Sequence, residues 1–146
     1  MSAWIIQAGA EVLLYRAFVY RIILPDGRYY IGKKNVYRVK AGKIVGESDW
    51  RDYWSSSKGV KALVKAAGHA LCRREILQLT ESTGKAGYFE DRWLFGTDAL
   101  LDPMCLNGNI AAKYQRKVVA GWHDESRCAR YMADTEKQRR AAGLIV

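Results

Sequence analysis

Tyr20 and Tyr30 stand on either side of a Pro25-Asp26-Gly27 segment, with Lys33 three residues beyond the second tyrosine. Proline fixes φ at the first corner of a turn, and glycine accepts positive φ at its end. A three-residue loop there sets Leu24 opposite Arg28, Ile22 opposite Tyr30 and Tyr20 opposite Gly32. Side chains alternate along a strand, so the two phenols emerge on one face as diagonal neighbours. Two phenols and an ammonium gathered at one point suit phosphodiester chemistry. A phenol can orient or deprotonate a water, and a nearby cation lowers its pKa. Taken alone, such a pair more often only packs.

The elements that must position these groups are legible around them. Arg16 to Leu24 is rich in Phe, Val, Tyr and Ile and reads as a strand, with Arg28 to Lys34 returning beside it. Residues 35–54 are charged and irregular, with Val36-Tyr37 and Lys43-Ile44-Val45 as short strand candidates. Ser55, Ser56 and Ser57 offer N-cap oxygens rather than nucleophiles, and Lys58 to Ala67 follows as a helix closed by Gly68. Leu71 to Leu79 reads as a strand. Ala86 to Phe95 has helical spacing, with Phe89, Trp93 and Leu94 on one face. A Gly/Pro/Asn loop follows, and a basic helix is expected over Ala111 to Ala142.

The 146 residues carry a net charge of +9, unevenly placed. Residues 32–80 hold eleven Lys/Arg against four Asp/Glu, whereas residues 81–112 hold two against five. A basic surface beside an acidic segment fits a polyanion held next to a carboxylate. The longest apolar runs fall far short of the ~20 residues that span a bilayer, and no signal peptide is expected. Cys72, Cys105 and Cys128 give neither a CxxC pair nor a disulfide framework, which suits a reducing cytoplasm. With only His69 and His123, a His/Cys zinc site is not expected. His69 reads as a packed or turn residue, and His123 as a surface one. A GxxxxGK[ST] loop is absent too, which excludes the usual ATP-driven enzymes.

Phe18-Val19-Tyr20, nine residues, then Tyr30-Ile31-Gly32 and Lys33 resembles the GIY-YIG nuclease signature. Phe18 and Val19 stand where Gly and Ile are usual, while the second element matches fully. Downstream, Tyr53-Trp54-Ser55-Ser56-Ser57-Lys58 is similar to the aromatic-Ser-Ser-Lys segment before the first helix of phage members. Gly68 with Arg74-Glu75-Ile76-Leu77 resembles the third-strand segment, Glu90 the metal-binding glutamate, and Asn107 the closing asparagine. The resemblance covers residues 16–110 in order.

What the resemblance implies is an α/β (α+β) domain, a small antiparallel sheet with the tyrosine hairpin at its centre and helices on its flanks. A GIY-YIG-like nuclease domain is expected over residues 1–112, with a basic helical extension over 113–146. The implied activity is Mg²⁺- or Mn²⁺-dependent hydrolysis of DNA, double-stranded in the first instance, in the cytoplasm of a bacterial or phage-infected cell. Glu90 would hold the metal, with Asp91 its neighbouring competitor. Tyr20, slightly preferred, or Tyr30 would be the base, assisted by Lys33. Arg51 is the first choice for the phosphate-stabilising arginine, and Asn107 completes the set. Lys34, Lys58, Lys61 and Arg74 are candidate nucleic-acid contacts. A fold-preserving but inactive nucleic-acid-binding module, or a phage-encoded inhibitor using its basic face, are the rival readings.

Overall fold

The computed structural model describes residues 3–119, 136–138 and 140–143. The main sheet has the order β1 (Trp4–Ile5), β6 (Arg73–Thr80), β2 (Ala17–Ile23), β3 (Tyr29–Asn35). β2 runs antiparallel to both neighbours, and β1 is parallel to β6. The tyrosine hairpin thus supplies one interior strand and one outer strand. Its expected register holds: Tyr20 faces Gly32, Ile22 faces Tyr30, and the Leu24 N–H donates to the Arg28 carbonyl at 2.8 Å. Gly27 takes the positive φ, +90°, that closes the turn.

β2 alternates poorly in sequence because both of its faces are covered. Phe18, Tyr20 and Ile22 pack with Val36, Trp50, Trp54 and the helix α1 (Lys58–Ala67), through Val60 and Val64. Val19, with Ile31 of β3, packs on the other side against Leu94 of α2 (Thr83–Gly96) and against Ala99 and Leu100. The result is a sheet between two helical layers. Ser57 caps α1 by accepting from the Val60 N–H, and Gly68 ends it at φ +94°. Ser82 caps α2 in the same way through Lys85, so that helix starts a turn before the expected Ala86. The strand expected over Leu71 to Leu79 is β6, which starts at Arg73 after a short turn over His69–Leu71, and its Glu75 pairs with Arg21 of β2 at 2.7 Å.

Residues 35–54 are more regular than their composition suggests. Tyr37–Lys40 (β4) and Lys43–Glu47 (β5) form a separate two-stranded ribbon. The helix expected from Ala111 begins instead at Arg116. Ahead of it, Asn109–Ile110 (β7) and Tyr114–Gln115 (β8) make a small hairpin, and α3 (Arg116–Val119) follows. The Arg116 guanidinium explains this start. It donates to the carbonyls of Ala99, Leu100, Asp102, Cys105 and Asn107 at 2.7–3.2 Å, so the chain is tied back into the domain here. The remainder of the expected basic helix, with Cys128 and His123, falls mostly outside the described residues.

Candidate active site

Strand alternation brings Tyr20 and Tyr30 to one face, their ring centroids 6.4 Å apart. Gly32 is what allows this. A Cβ on Gly32 would stand 2.4 Å from the Tyr20 phenol oxygen, so the ring lies across bare backbone. A third phenol joins them, since the Tyr53 ring meets Tyr20 edge-on at 5.7 Å. Ser55 joins this group, its hydroxyl lowering the pKa of both Tyr20 and Tyr30 against the effect of burial. Ser55 is buried, holds φ at +97°, and also accepts from the Ser57 N–H at 3.0 Å. It is therefore not the helix cap; that work falls to Ser57.

The tyrosines differ in access. Tyr20 is 1% exposed, and burial pushes its phenol far above the ordinary range. Tyr30 is half-buried; burial and then the charge of Glu90 raise its pKa, and the Ser55 hydroxyl draws it back. Tyr30 also lines a cleft of ≈ 380 Å³, shared with Ser57, Glu90, Asn107 and Asn109, whereas Tyr20 is not among the lining residues. Glu90 comes from the middle of α2. Burial raises its carboxyl from the ordinary 4.5, while the Lys33 ammonium and the Lys33 N–H hold it down.

This last contact corrects the expected place of Lys33. Residue 33 lies opposite Val19 and shares that residue's face, so its side chain runs beside α2, where its Nζ approaches Gly87. The lysine on the phenol face is Lys34, with Nζ 4.1 Å above the Tyr53 ring and ion-paired to Asp49. A one-residue step along a strand exchanges faces, so the lysine that directly follows the motif stands on the Glu90 side of the sheet and its neighbour on the phenol side.

Asn107 is 5% exposed and clasps the free edge of β3. Its Oδ1 accepts from the Ile31 N–H at 2.9 Å, and its Nδ2 donates to the Ile31 carbonyl at 2.8 Å. Arg51 is exposed; it stacks on Trp50 at 4.6 Å, pairs with Glu47 at 3.1 Å, and lies outside the cleft lining. Lys58 and Lys61 are exposed on the first turn of α1. Arg74 is not a surface cation as expected. At 2% exposure it lies between the rings of Trp4 and Trp54 and donates to the carbonyls of Arg51 and Tyr53. Its neighbour across the sheet is Ile22, which fixes it on the tryptophan-rich face. His69 packs on Trp54 in a turn, as expected.

From sequence, Tyr53 is only part of a motif, Ser55 only a cap, and Arg116 one more cation of the basic tail. Nothing local distinguishes these residues, because each is defined by partners far along the chain.

No solved structure and no curated protein matches the chain. A family model described as "Putative endonuclease segE, GIY-YIG domain" matches residues 4–131. The match takes in the main sheet, both helical layers, the three phenols, Glu90 and Asn107, and the chain belongs to this GIY-YIG family.

Proposed function

We propose that the cleft between Tyr30 and Glu90 is the active site of a Mg²⁺- or Mn²⁺-dependent DNA endonuclease, with Tyr30 the water-facing phenol. Family membership supports nuclease activity. The observation that carries the finer reading is the shared cleft: one phenol and one carboxylate, on different elements, line the same polar opening, with Asn107 at its wall.

The donor set suits a hard divalent cation. Around Glu90 the lining offers phenol, hydroxyl and amide oxygens, and no cluster of three His, Cys, Asp or Glu occurs among the described residues. One carboxylate that leaves most positions to water and phosphate oxygens is an ordinary arrangement for Mg²⁺. Glu90 would hold the ion, which when bound neutralises charge on the scissile phosphate. Lys33 favours the ionised form of Glu90 against the effect of burial. In its ionised form Tyr30 orients the attacking water through its Oη and takes its proton, as the water oxygen bonds to phosphorus and the P–O bond to the leaving strand breaks, the leaving oxygen keeping the bonding pair and taking a proton from solvent. Tyr20, enclosed and held protonated by burial, supports the Tyr30 ring from behind. The base is thus Tyr30 rather than the Tyr20 that the resemblance slightly favours. Arg51, stacked on Trp50 and absent from the cleft lining, would reach a phosphate only from outside the cleft.

Incubation of the purified protein with plasmid and Mg²⁺ tests the reading, alongside Glu90→Gln, Tyr30→Phe and Tyr20→Phe. Cleavage is expected from the parent, near-complete loss in the first two variants, and partial retention in the third. Cleavage that persists in both Glu90→Gln and Tyr30→Phe would sink the assignment. An inert parent that still binds DNA would favour a binding module.

A further inference from the structure

The β4–β5 ribbon stands apart from the main sheet, and no role in the cleft accounts for it. Its two strands pair only with each other, and every residue from Arg38 to Val45 is exposed. The turn between them is the two-residue kind that suits a twisted ribbon, with Ala41 at φ +51° and Gly42 at +77°. Free-standing two-stranded ribbons are marginal in water, so one carrying no buried face calls for an explanation.

Its side chains sort by face. Val39 lies directly opposite Ile44, and both are about half exposed, at 54% and 44%. The other face carries Arg38, Lys40 and Lys43. Lys40 is directly opposite Lys43, a like-charge pair that destabilises a ribbon by itself. No acidic residue occurs from Val36 to Gly46 to relieve it. The Arg38 guanidinium lies close over Gly46, where a Cβ would come within 3.2 Å of it. An uncompensated cationic face backed by exposed aliphatic residues fits a polyanion that also offers apolar contact.

We propose that this ribbon is a groove-binding element for double-stranded DNA: Arg38, Lys40 and Lys43 contact phosphates while Val39 and Ile44 meet base edges. The proposal rests on the DNA nuclease reading above for its partner. A major groove about 12 Å wide admits a two-stranded ribbon, and thymine methyl groups there take aliphatic contacts. Connectivity adds to the case. The ribbon leaves directly from β3, which carries Tyr30 and Lys34, and returns into the Trp50–Ser57 segment that carries Tyr53 and Ser55. Its base is pinned at both ends, by the Tyr37 phenol donating to the Leu13 carbonyl and by the Ser48 hydroxyl donating to the Asn35 carbonyl. A duplex held by the ribbon is therefore held next to the cleft.

The test is duplex affinity across a salt series, by fluorescence anisotropy, in a Glu90→Gln background that does not cut. Arg38→Ala/Lys40→Ala/Lys43→Ala is expected to weaken binding at least about tenfold. It should also reduce the slope of log K against log salt by about 2–3, near 0.9 for each phosphate that the ribbon no longer neutralises. Val39→Ser/Ile44→Ser is expected to weaken binding with the slope unchanged. All five positions are exposed, and matching circular dichroism spectra would show that the variants fold. A duplex RNA of the same sequence, whose major groove is too deep and narrow for the ribbon, should bind more weakly and be indifferent to the serine pair. An unchanged affinity and slope in the triple variant overturns the proposal, as does an equal loss on RNA and DNA. A parent that binds duplex DNA, loses binding in the triple variant and does not cut would sink the nuclease reading alone. A parent that cuts, with a triple variant of unchanged affinity, would sink the ribbon alone, and a parent that binds no duplex overturns both.

Discussion

Asn107 behaves towards Ile31 as a neighbouring strand would, meeting both its N–H and its carbonyl with the two ends of one carboxamide, at 2.9 and 2.8 Å. β3 is the outer strand of the sheet, and unpaired edge groups next to a cleft would otherwise face water or stray chains. The neighbouring backbone continues the cover, since Tyr29 exchanges hydrogen bonds with Met104 and Leu106.

Replacing Asn107 with Asp removes the donor and leaves the Ile31 carbonyl facing a carboxylate. Because both groups are buried, the cost should be at least about 1–3 kcal/mol, the range for a buried polar group left unsatisfied. The expected readout is a lower urea midpoint with an unchanged m-value, together with weaker cleavage, because the clasp holds the residue next to Tyr30. Stability equal to that of the parent would show that the clasp is dispensable.

Gly32 and Tyr20 make a second testable pair. A Cβ at residue 32 meets the phenol oxygen at 2.4 Å and its ring carbon at 2.5 Å, and Tyr20 is enclosed on all sides. Gly32→Ala should cost about 1–3 kcal/mol by overpacking. Tyr20→Leu in the same chain removes the clashing atoms, so the double variant should be more stable than the sum of the single effects predicts. Strict additivity in thermal unfolding would mean that the two residues do not oppose one another.

How far the sequence discloses this site depends on how local each feature is. The hairpin register follows from Pro25-Asp26-Gly27 and a period of two, both readable within twenty residues, and it matches the structure. The helix over Lys58–Ala67 carries its own cap and glycine stop. The Asn107 clasp joins residues 76 apart, and no pattern near Asn107 announces it. Arg74 misleads for the same reason, since an arginine in LCRREILQL looks like a surface cation until Trp4 and Trp54 arrive from elsewhere to cover it. Lys33 and Lys34 show a different limit, in which the elements are right and one step of register exchanges their partners.

Ser55 combines a hydroxyl that lowers the pKa of two phenols with a backbone at φ +97°, a conformation that costs a non-glycine residue of order 1–3 kcal/mol. The two contributions separate by substitution. Ser55→Gly loses the hydroxyl and relieves the backbone, whereas Ser55→Ala loses the hydroxyl and keeps the strain. The glycine variant should therefore unfold at the higher temperature of the two. Both should shift upward in pH the limb along which rate rises as Tyr30 ionises, because the Ser55 hydroxyl lowers the pKa of Tyr30 and its loss raises it. A limb unmoved in both variants would deny Ser55 any part in setting the phenol.

Glu90 gives the prediction with the most definite sign. Burial raises its pKa above the ordinary 4.5, with Lys33 opposing. The folded state therefore binds a proton more tightly than the unfolded chain does. Stability from this group is present below the unfolded value and is lost as pH rises through the folded one. At neutral pH the ionised carboxylate is a burden on the fold, which Glu90→Gln removes. The variant should melt above the parent at pH 7, and the two should converge as pH falls below the ordinary carboxylate range. A divalent cation that binds only the folded carboxylate reverses the order, since it stabilises the parent with the logarithm of its concentration over Kd and leaves the variant unmoved. Cleavage by the parent should fall on the acid side at a pH above that of a free glutamate, as the metal-binding form is lost. Thermal melts of both proteins at several pH values, with and without Mg²⁺, read all of these at once. A parent whose melting point ignores Mg²⁺ would remove Glu90 from the metal site, and a glutamine variant that melts lower than the parent at pH 7 without Mg²⁺ would deny the burial cost.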